Sequence, residues 1–314
     1  MRIVFFGCDD FAAVSLQRLI DEGHTLAALV TQPDRPSGRG LQVISGPTKE
    51  MGLRHAIEVL QPQDLNASEV ISKLKEYAAD VFVVVAYGKF LPAAVLGIPK
   101  YFCVNVHPSL LPKYRGAAPV NWAVINGDTL TGVTLIRMDP SMDGGDILAQ
   151  EPYPVPEEMT AAALRDRLAV FGADMLAGLL PRIPSGAFTC VKQDGALATR
   201  APKLSKELGH IHWQDSAKKI HDLVRGTQPW PGAFTYFNGK LLKVLEVGVA
   251  DVAEACSTAA TKPGEILELR KDGFCVQAGD RAVLVKRVHP AGGKAMDARS
   301  FCAGHKLSTG DKLG

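Results

Sequence analysis

Three residues in this sequence combine by type into a possible reaction centre: Asn105, His107 and Asp143. Asn105 and His107 lie two apart in the apolar run 102–107, so on a strand both project to one side while Val104 and Val106 take the other. Pro108 cannot continue a central ladder, and Ser109, Pro112, Gly116 and Pro119 punctuate the segment after it. An amide and an imidazole therefore meet at one strand end and open into a loop. Alone, His107 reads as a satisfied, half-buried histidine and Asn105 as a residue that ties a turn. The pair before a Pro-broken loop reads as function. Asp143 comes after a second apolar run, 130–138, in the order Asp139-Pro-Ser-Met-Asp143-Gly-Gly-Asp146. A tight Gly-containing turn there brings a carboxylate beside the neighbouring strand end. A calcium loop is excluded, because Gln150 stands where a bidentate Glu is needed, Pro140 intrudes and a strand precedes.

An amide donor, an imidazole and a carboxylate, with no serine or cysteine nucleophile among them, suit direct attack of a substrate amine on a carbonyl. Asn105 and a protonated His107 supply donors for the oxyanion of the tetrahedral intermediate. Asp143 stabilises the imidazolium and assists removal of the amine proton. The reaction class is acyl transfer, with no metal expected.

Those residues need a rigid frame. Runs 2–7, 26–31, 81–86 and 102–107 read as buried strands, and 11–21 and 67–77 as helices between them. Alternation of this kind predicts an α/β fold with a doubly wound, mostly parallel sheet. The first turn, Gly7-Cys8-Asp9-Asp10, has one glycine and two carboxylates, which excludes a dinucleotide pyrophosphate. Residues 32–46 are long for a βα connection and carry Arg35 and Arg39 among Pro33, Pro36, Gly38 and Gly40, a composition suited to a mobile basic arm. A helix is expected at 119–125, and another, capped by Thr160, to about residue 180. The stretch 181–205 lacks periodicity. The division expected is a catalytic domain over 1–190, a linker over 191–205, and a small C-terminal β-barrel, OB-like, over 206–314, with short strands separated by Asn-Gly, Pro-Gly, Asp-Gly and Gly-Asp.

Composition sets the class. At 314 residues, 46% hydrophobic and 22% charged, the chain reads as a two-domain globular protein. No apolar run reaches membrane-spanning length and no signal-type h-region comes after Met1, so a cytoplasmic protein is expected; a monomer is expected as well. The six cysteines form no CxxC pair and no zinc-ligand spacing. The net charge of +2 hides an asymmetry: residues 1–202 carry −3 and residues 203–314 carry +5. A basic C-terminal portion hints at a polyanionic partner.

The motif Asn105-Val-His107-Pro-Ser109-Leu-Leu-Pro112-x-x-Arg-Gly116, together with Met138-Asp139 and Asp143-x-Gly-Asp146 after it, resembles the signature of folate-dependent formyltransferases. The arm QPDRPSGRG and the later HDLVRGTQPWPGAFT are similar to the tRNA-acting branch of that family. The resemblance implies transfer of a formyl group from 10-formyltetrahydrofolate to the methionine amine of charged initiator tRNA. It implies Asn105, His107 and Asp143 as catalytic. It implies Ser109, Leu110, Leu111 and Pro112 as folate-binding, with Phe90, Leu91 and Asp139 near the pterin. It implies Arg35 and Arg39 as tRNA-binding, with the basic C-terminal portion on the phosphates. Leu110 and Leu111 also read as core. Two departures stand out: Cys8-Asp9 replaces the usual Thr-Pro, and Leu41-Gln42 replaces a frequent lysine pair. A glycinamide ribonucleotide formyltransferase is expected to end near residue 200, an amino-sugar nucleotide formyltransferase to lack the arm, and a non-catalytic RNA-binding module to have no use for the three residues together.

Overall fold

A strand buried on both faces reads as a continuous apolar run, and the first strand does: Ile3, Val4, Phe5 and Phe6 are all fully buried. The computed structural model describes residues 1–37, 42–250 and 261–314. Its contacts divide into two compact units, the first comprising Met1–Pro119, Leu130–Pro154 and Arg165–Pro202. In chain order the elements begin β1 (Arg2–Gly7), α1 (Asp10–Asp21), β2 (Thr25–Val30), β3 (Arg35–Ser37), β4 (Gln42–Ile44), α2 (Pro47–Arg54), β5 (Val59–Leu60) and α3 (Ser68–Glu76). They continue β6 (Val81–Val85), α4 (Ala93–Leu96), β7 (Cys103–His107), β8 (Arg115–Gly116), α5 (Pro119–Ile125), β9 (Leu130–Arg137), β10 (Ile147–Pro154), α6 (Ala161–Leu179) and β11 (Arg200–Ala201).

The main sheet of the first unit has the order β10-β9-β7-β6-β1-β2-β5. Strands β5, β2, β1, β6 and β7 run parallel, while β9 is antiparallel to β7 and β10 to β9. This is the doubly wound, mostly parallel sheet expected, extended by one antiparallel hairpin. The strand order reverses between β1 and β6, which places the sheet's switch point one strand from the end of β7.

Alternation along β7 sorts its side chains. Val106 faces α6, where Gly172 permits close approach: a Cβ there would lie 2.8 Å from Val106 Cγ1. Cys103 faces the opposite core with Val4, Phe6, Phe82, Leu74 and Val95. Asn105 and His107 share the side of Cys103, so both layers of the sandwich fix the direction of the two polar residues. Helix α1 begins on Asp9, whose carboxylate accepts from the Ala12 N–H at 3.1 Å and from Arg165 at 2.5 Å.

The second unit comprises Val120–Thr129, Val155–Leu164 and Lys203–Gly314. Its further elements are α7 (Ala217–Gly226), β12 (Ala233–Phe237), β13 (Lys240–Ala250), β14 (Ile266–Arg270), β15 (Gly273–Gln277), β16 (Ala282–Pro290), β17 (Met296–Asp297) and α8 (Ala298–His305). The sheet order is β12-β13-β16-β15-β14, all antiparallel, with β17 on β16. Phe237, Val244, Ile266, Phe274 and Val285, one from each of β12, β13, β14, β15 and β16, enter a single core. The last residues bridge its two ends: Leu313 N–H donates to the Gly264 carbonyl at 2.9 Å and Gly314 N–H to the Tyr236 carbonyl at 3.0 Å. The small barrel-like domain expected from the turn spacing is present.

Buried charge ties the early segments into this unit. Asp222, 4% exposed, accepts from Lys218 at 2.7 Å and Arg225 at 2.8 Å. The Arg225 guanidinium also donates to the Met159 carbonyl at 3.0 Å, and Asn121 donates to the Gly226 carbonyl at 2.8 Å. Burial alone would raise the Asp222 carboxyl, but hydrogen bonds from His221, Lys218 and Arg225 outweigh it and hold the group below its ordinary range. Residues 191–202, inside the stretch read as a linker, are hydrogen-bonded into the first unit: β11 pairs with β8 and Val191 bridges to Ile147. Among the described residues, no helix is long and apolar enough to cross a membrane.

Candidate active site

His107 ends β7 with its side chain 6% exposed. Nε2 lies 3.0 Å from the Tyr114 carbonyl, which only accepts, so that nitrogen carries a proton. Nδ1 then faces the Asp143 carboxylate, with Oδ2 3.8 Å away, a Coulombic contact too long for a direct hydrogen bond. Burial lowers the pKa of His107 below its ordinary value; Asp143 and the Tyr114 carbonyl pull it back up without cancelling the effect. The ring is therefore neutral at neutral pH in the free chain, with its Nδ1 lone pair towards the carboxylate. Asn105 lies on the same side of the strand, and its Oδ1 is buried with no hydrogen-bond partner. A buried unpaired acceptor costs about 1–3 kcal/mol, which a polar ligand atom recovers.

Asp143 reaches the ring from the turn between β9 and β10. Its φ is +51°, a left-handed conformation that costs roughly 1–2 kcal/mol for an L-residue. The geometry is held: Asp143 Oδ2 accepts from the Gly116 N–H at 2.8 Å, and the Gln193 side chain donates to the carbonyls of Asp143 at 2.8 Å and Gly145 at 2.7 Å. A Cβ on Gly145 would run into the Arg137 carbonyl, so the turn closes only with glycine there.

Loop 109–112 is pinned to the same hairpin. The Thr134 hydroxyl donates to the Ser109 carbonyl at 2.6 Å and accepts from the Leu111 N–H at 3.1 Å, while Gln150 donates to the Leu111 carbonyl at 2.8 Å. Ser109 is fully buried and its hydroxyl donates to the Lys113 carbonyl at 2.6 Å; Leu111 is 2% exposed. Leu110 and Pro112 are half-buried. Leu91 joins the β6-side core at 5% exposure, whereas neighbouring Phe90 is 64% exposed. Asp139 is exposed, and its carboxylate accepts from the Ser141 N–H at 2.8 Å.

The basic arm is a β3–β4 hairpin. Its base is tied down by Asp34, which pairs with Lys49 at 2.5 Å and accepts from Gln61 at 2.8 Å. Arg35 lies on β3, and Arg39 lies outside the described residues. Among the described residues, no group of three or more His, Cys, Asp and Glu side chains can hold a metal ion.

The structure thus brings Asn105, His107 and Asp143 to one strand end, with the 109–112 loop against the same hairpin. Sequence reasoning missed Arg115, Thr134, Gln150 and Gln193 as supports of the site. Of these, Arg115 stands inside the quoted signature without a role assigned to it and Gln150 attracts notice as a failed calcium ligand, whereas Thr134 and Gln193 carry no motif that would single them out.

An amide, an imidazole and a carboxylate at one edge of a doubly wound sheet suit acyl transfer. Residues 1–180 match the family model for formyl transferase, and residues 203–306 match that for the formyl transferase C-terminal domain. The chain belongs to the formyl transferase family. It is 45% identical to the methionyl-tRNA formyltransferase of Acetivibrio thermocellus over 314 residues, covering 100% of both chains. It is 43% identical to that of Geobacter metallireducens, covering 100% of this chain and 99% of that one. Among solved structures it shares its fold with WlaRD, a sugar 3N-formyl transferase, at 18% identity and TM-score 0.66 over 91% of this chain and 97% of that one. HypX from Aquifex aeolicus in complex with tetrahydrofolic acid is similar at 20% identity and TM-score 0.63, covering 99% of this chain and 48% of that one.

Proposed function

We propose that this chain transfers the formyl group of 10-formyltetrahydrofolate to the α-amine of methionine on charged initiator tRNA, acting as a cytoplasmic monomer. The chemistry rests on one observation above the others: His107 faces Asp143 at 3.8 Å, on the strand end that also presents Asn105. The amine attacks the formyl carbon directly. Asn105 Nδ2 donates to the developing oxyanion, and His107, neutral at rest rather than protonated as its sequence context led one to expect, receives the proton that the amine sheds, with the Asp143 charge stabilising the imidazolium. The proton then goes to N10 of the folate as the C–N bond breaks. Ser109, Leu110, Leu111 and Pro112 shape the folate side, with Leu91 as wall, Phe90 as an exposed aromatic face for the pterin, and Asp139 beside it. Residues 1–190 carry the catalysis, 191–205 form a connecting segment, and 206–314 bind tRNA.

The choice of amine is supported by identity of 42–45% to curated methionyl-tRNA formyltransferases across the whole chain, the arm included. The sugar formyltransferase reading fits less well, since WlaRD shares 18% identity and thereby the fold alone. Arg35 and Arg39 reach the tRNA acceptor end, and the basic residues beyond 202 take its phosphates. The test is to incubate the protein with 10-formyltetrahydrofolate and, in parallel, methionyl-tRNA, glycinamide ribonucleotide or an amino-sugar nucleotide. Formyl-methionyl-tRNA is the product expected; exclusive formylation of either small amine would overturn the reading.

A further inference from the structure

Asp143 depends on Gln193, which lies outside every motif in the sequence, and on Arg115, which the signature includes without giving it a role. The Gln193 side chain occupies both sides of a junction: Nε2 donates to the Asp143 carbonyl at 2.8 Å and the Gly145 carbonyl at 2.7 Å, while Oε1 accepts from Arg115 Nη2 at 2.6 Å and Nε at 3.1 Å. Only an amide can donate to two carbonyls and accept from a guanidinium at once; a lysine lacks the acceptor and a carboxylate lacks the donors. Arg115 is anchored in turn. Its N–H donates to the Thr199 carbonyl at 2.9 Å, it pairs with Arg200 across β8 and β11, and the next residue, Gly116, donates its N–H to Asp143 Oδ2 at 2.8 Å. The ring of contacts thus closes on both ends of Asp143, its backbone carbonyl and its carboxylate. Left-handed backbone at φ +51° persists only where surrounding groups over-determine it.

We propose that Gln193 and Arg115 are positioning residues for formyl transfer: together they lock the 143–145 turn so that the Asp143 carboxylate stays against His107. The proposal rests on the functional reading above for its catalytic consequence, but the lock itself is a property of the free chain. Its action is on geometry rather than on binding, because the four Gln193 hydrogen bonds go to Arg115, Asp143 and Gly145 and not to the folate loop 109–112. The Asp143 carboxylate faces the His107 ring at Nδ1 and the Tyr114 carbonyl at Nε2. If the turn relaxes, the ring loses the charge that favours its protonated form.

The experiment compares the full-length wild type with Gln193→Leu, Gln193→Asn, Arg115→Ala and Arg115→Lys. Steady-state kinetics with 10-formyltetrahydrofolate and methionyl-tRNA are measured beside the NMR titration of the His107 ring. Gln193→Leu is expected to lower kcat by about 10- to 100-fold, as a displacement of about 1 Å near the chemistry does. KM for the folate should stay within about threefold, and Arg115→Lys should retain more activity than Arg115→Ala. The His107 titration midpoint should fall in Gln193→Leu, because the raising influence of Asp143 weakens. Gln193→Asn, too short to reach both carbonyls, should behave similarly and covers the case in which the leucine variant does not fold. An unmoved His107 midpoint in the folded variants overturns the proposal whatever the turnover. A wild type that formylates no amine removes the functional reading, and the titration still decides the lock.

Discussion

His107 carries opposed influences, and their balance sets both chemistry and stability. Burial disfavours the imidazolium; Asp143 and the Tyr114 carbonyl favour it, and burial wins. The folded chain therefore binds fewer protons at this site than the unfolded chain does below the ordinary histidine value of 6.5. Stability contributed here is complete above that value and falls with pH between it and the lower folded value. The loss of thermal stability between about pH 7.5 and 5.5 should accordingly be smaller in His107→Asn than in wild type. An identical acid loss in the two proteins would contradict the direction of the shift. At this scale much was legible in the sequence, because Asn105, His107 and Asp143 carry chemistry that their neighbours do not. Gln193 was not legible, since its work is done on carbonyls some 50 residues away in the chain, through a contact that only the folded β8–β11 pairing creates.

Elements place those residues through a few close approaches. β9 and β10 form the hairpin that holds the Asp143 turn and, through Thr134 and Gln150, the 109–112 loop. Gly145→Ala should push the turn off the Arg137 carbonyl and destabilise the protein by about 1–3 kcal/mol, the usual cost of overpacking. Chemical denaturation measures this, and a midpoint equal to wild type would show that the turn accommodates a side chain. The parallel strands were readable because burial on both faces leaves continuous apolar runs. β10 was not: Pro152 and Pro154 and its largely exposed residues suit an edge strand, which shows neither a run nor alternation. Helix α8, eight residues long, likewise lay below what periodicity resolves.

The whole molecule joins two differently charged portions, −3 over residues 1–202 and +5 over residues 203–314. The division by contacts also assigns Val120–Thr129 and Val155–Leu164 to the second unit, held by Arg225 and Asn121. Such an arrangement has no signature in a sequence, because the tie is formed by backbone carbonyls meeting distant side chains. The proposed choice of substrate belongs to this scale, because the arm and the basic C-terminal portion lie outside the three site residues. Arg39→Ala should raise KM for methionyl-tRNA roughly tenfold with KM for the folate unchanged, as loss of a phosphate-contacting cation weakens binding without touching the chemistry. Equal KM values for charged tRNA in variant and wild type would remove the arm from substrate recognition.

Formyl transfer is assigned to the residues at the end of β7 and in the 143–145 turn. Single-turnover transfer to methionyl-tRNA in His107→Ala and Asp143→Ala tests it most directly, with folding and folate binding verified in each variant. The rate should fall by at least about 10³-fold in both, with folate affinity retained. Transfer within about tenfold of wild type in either variant would contradict the account.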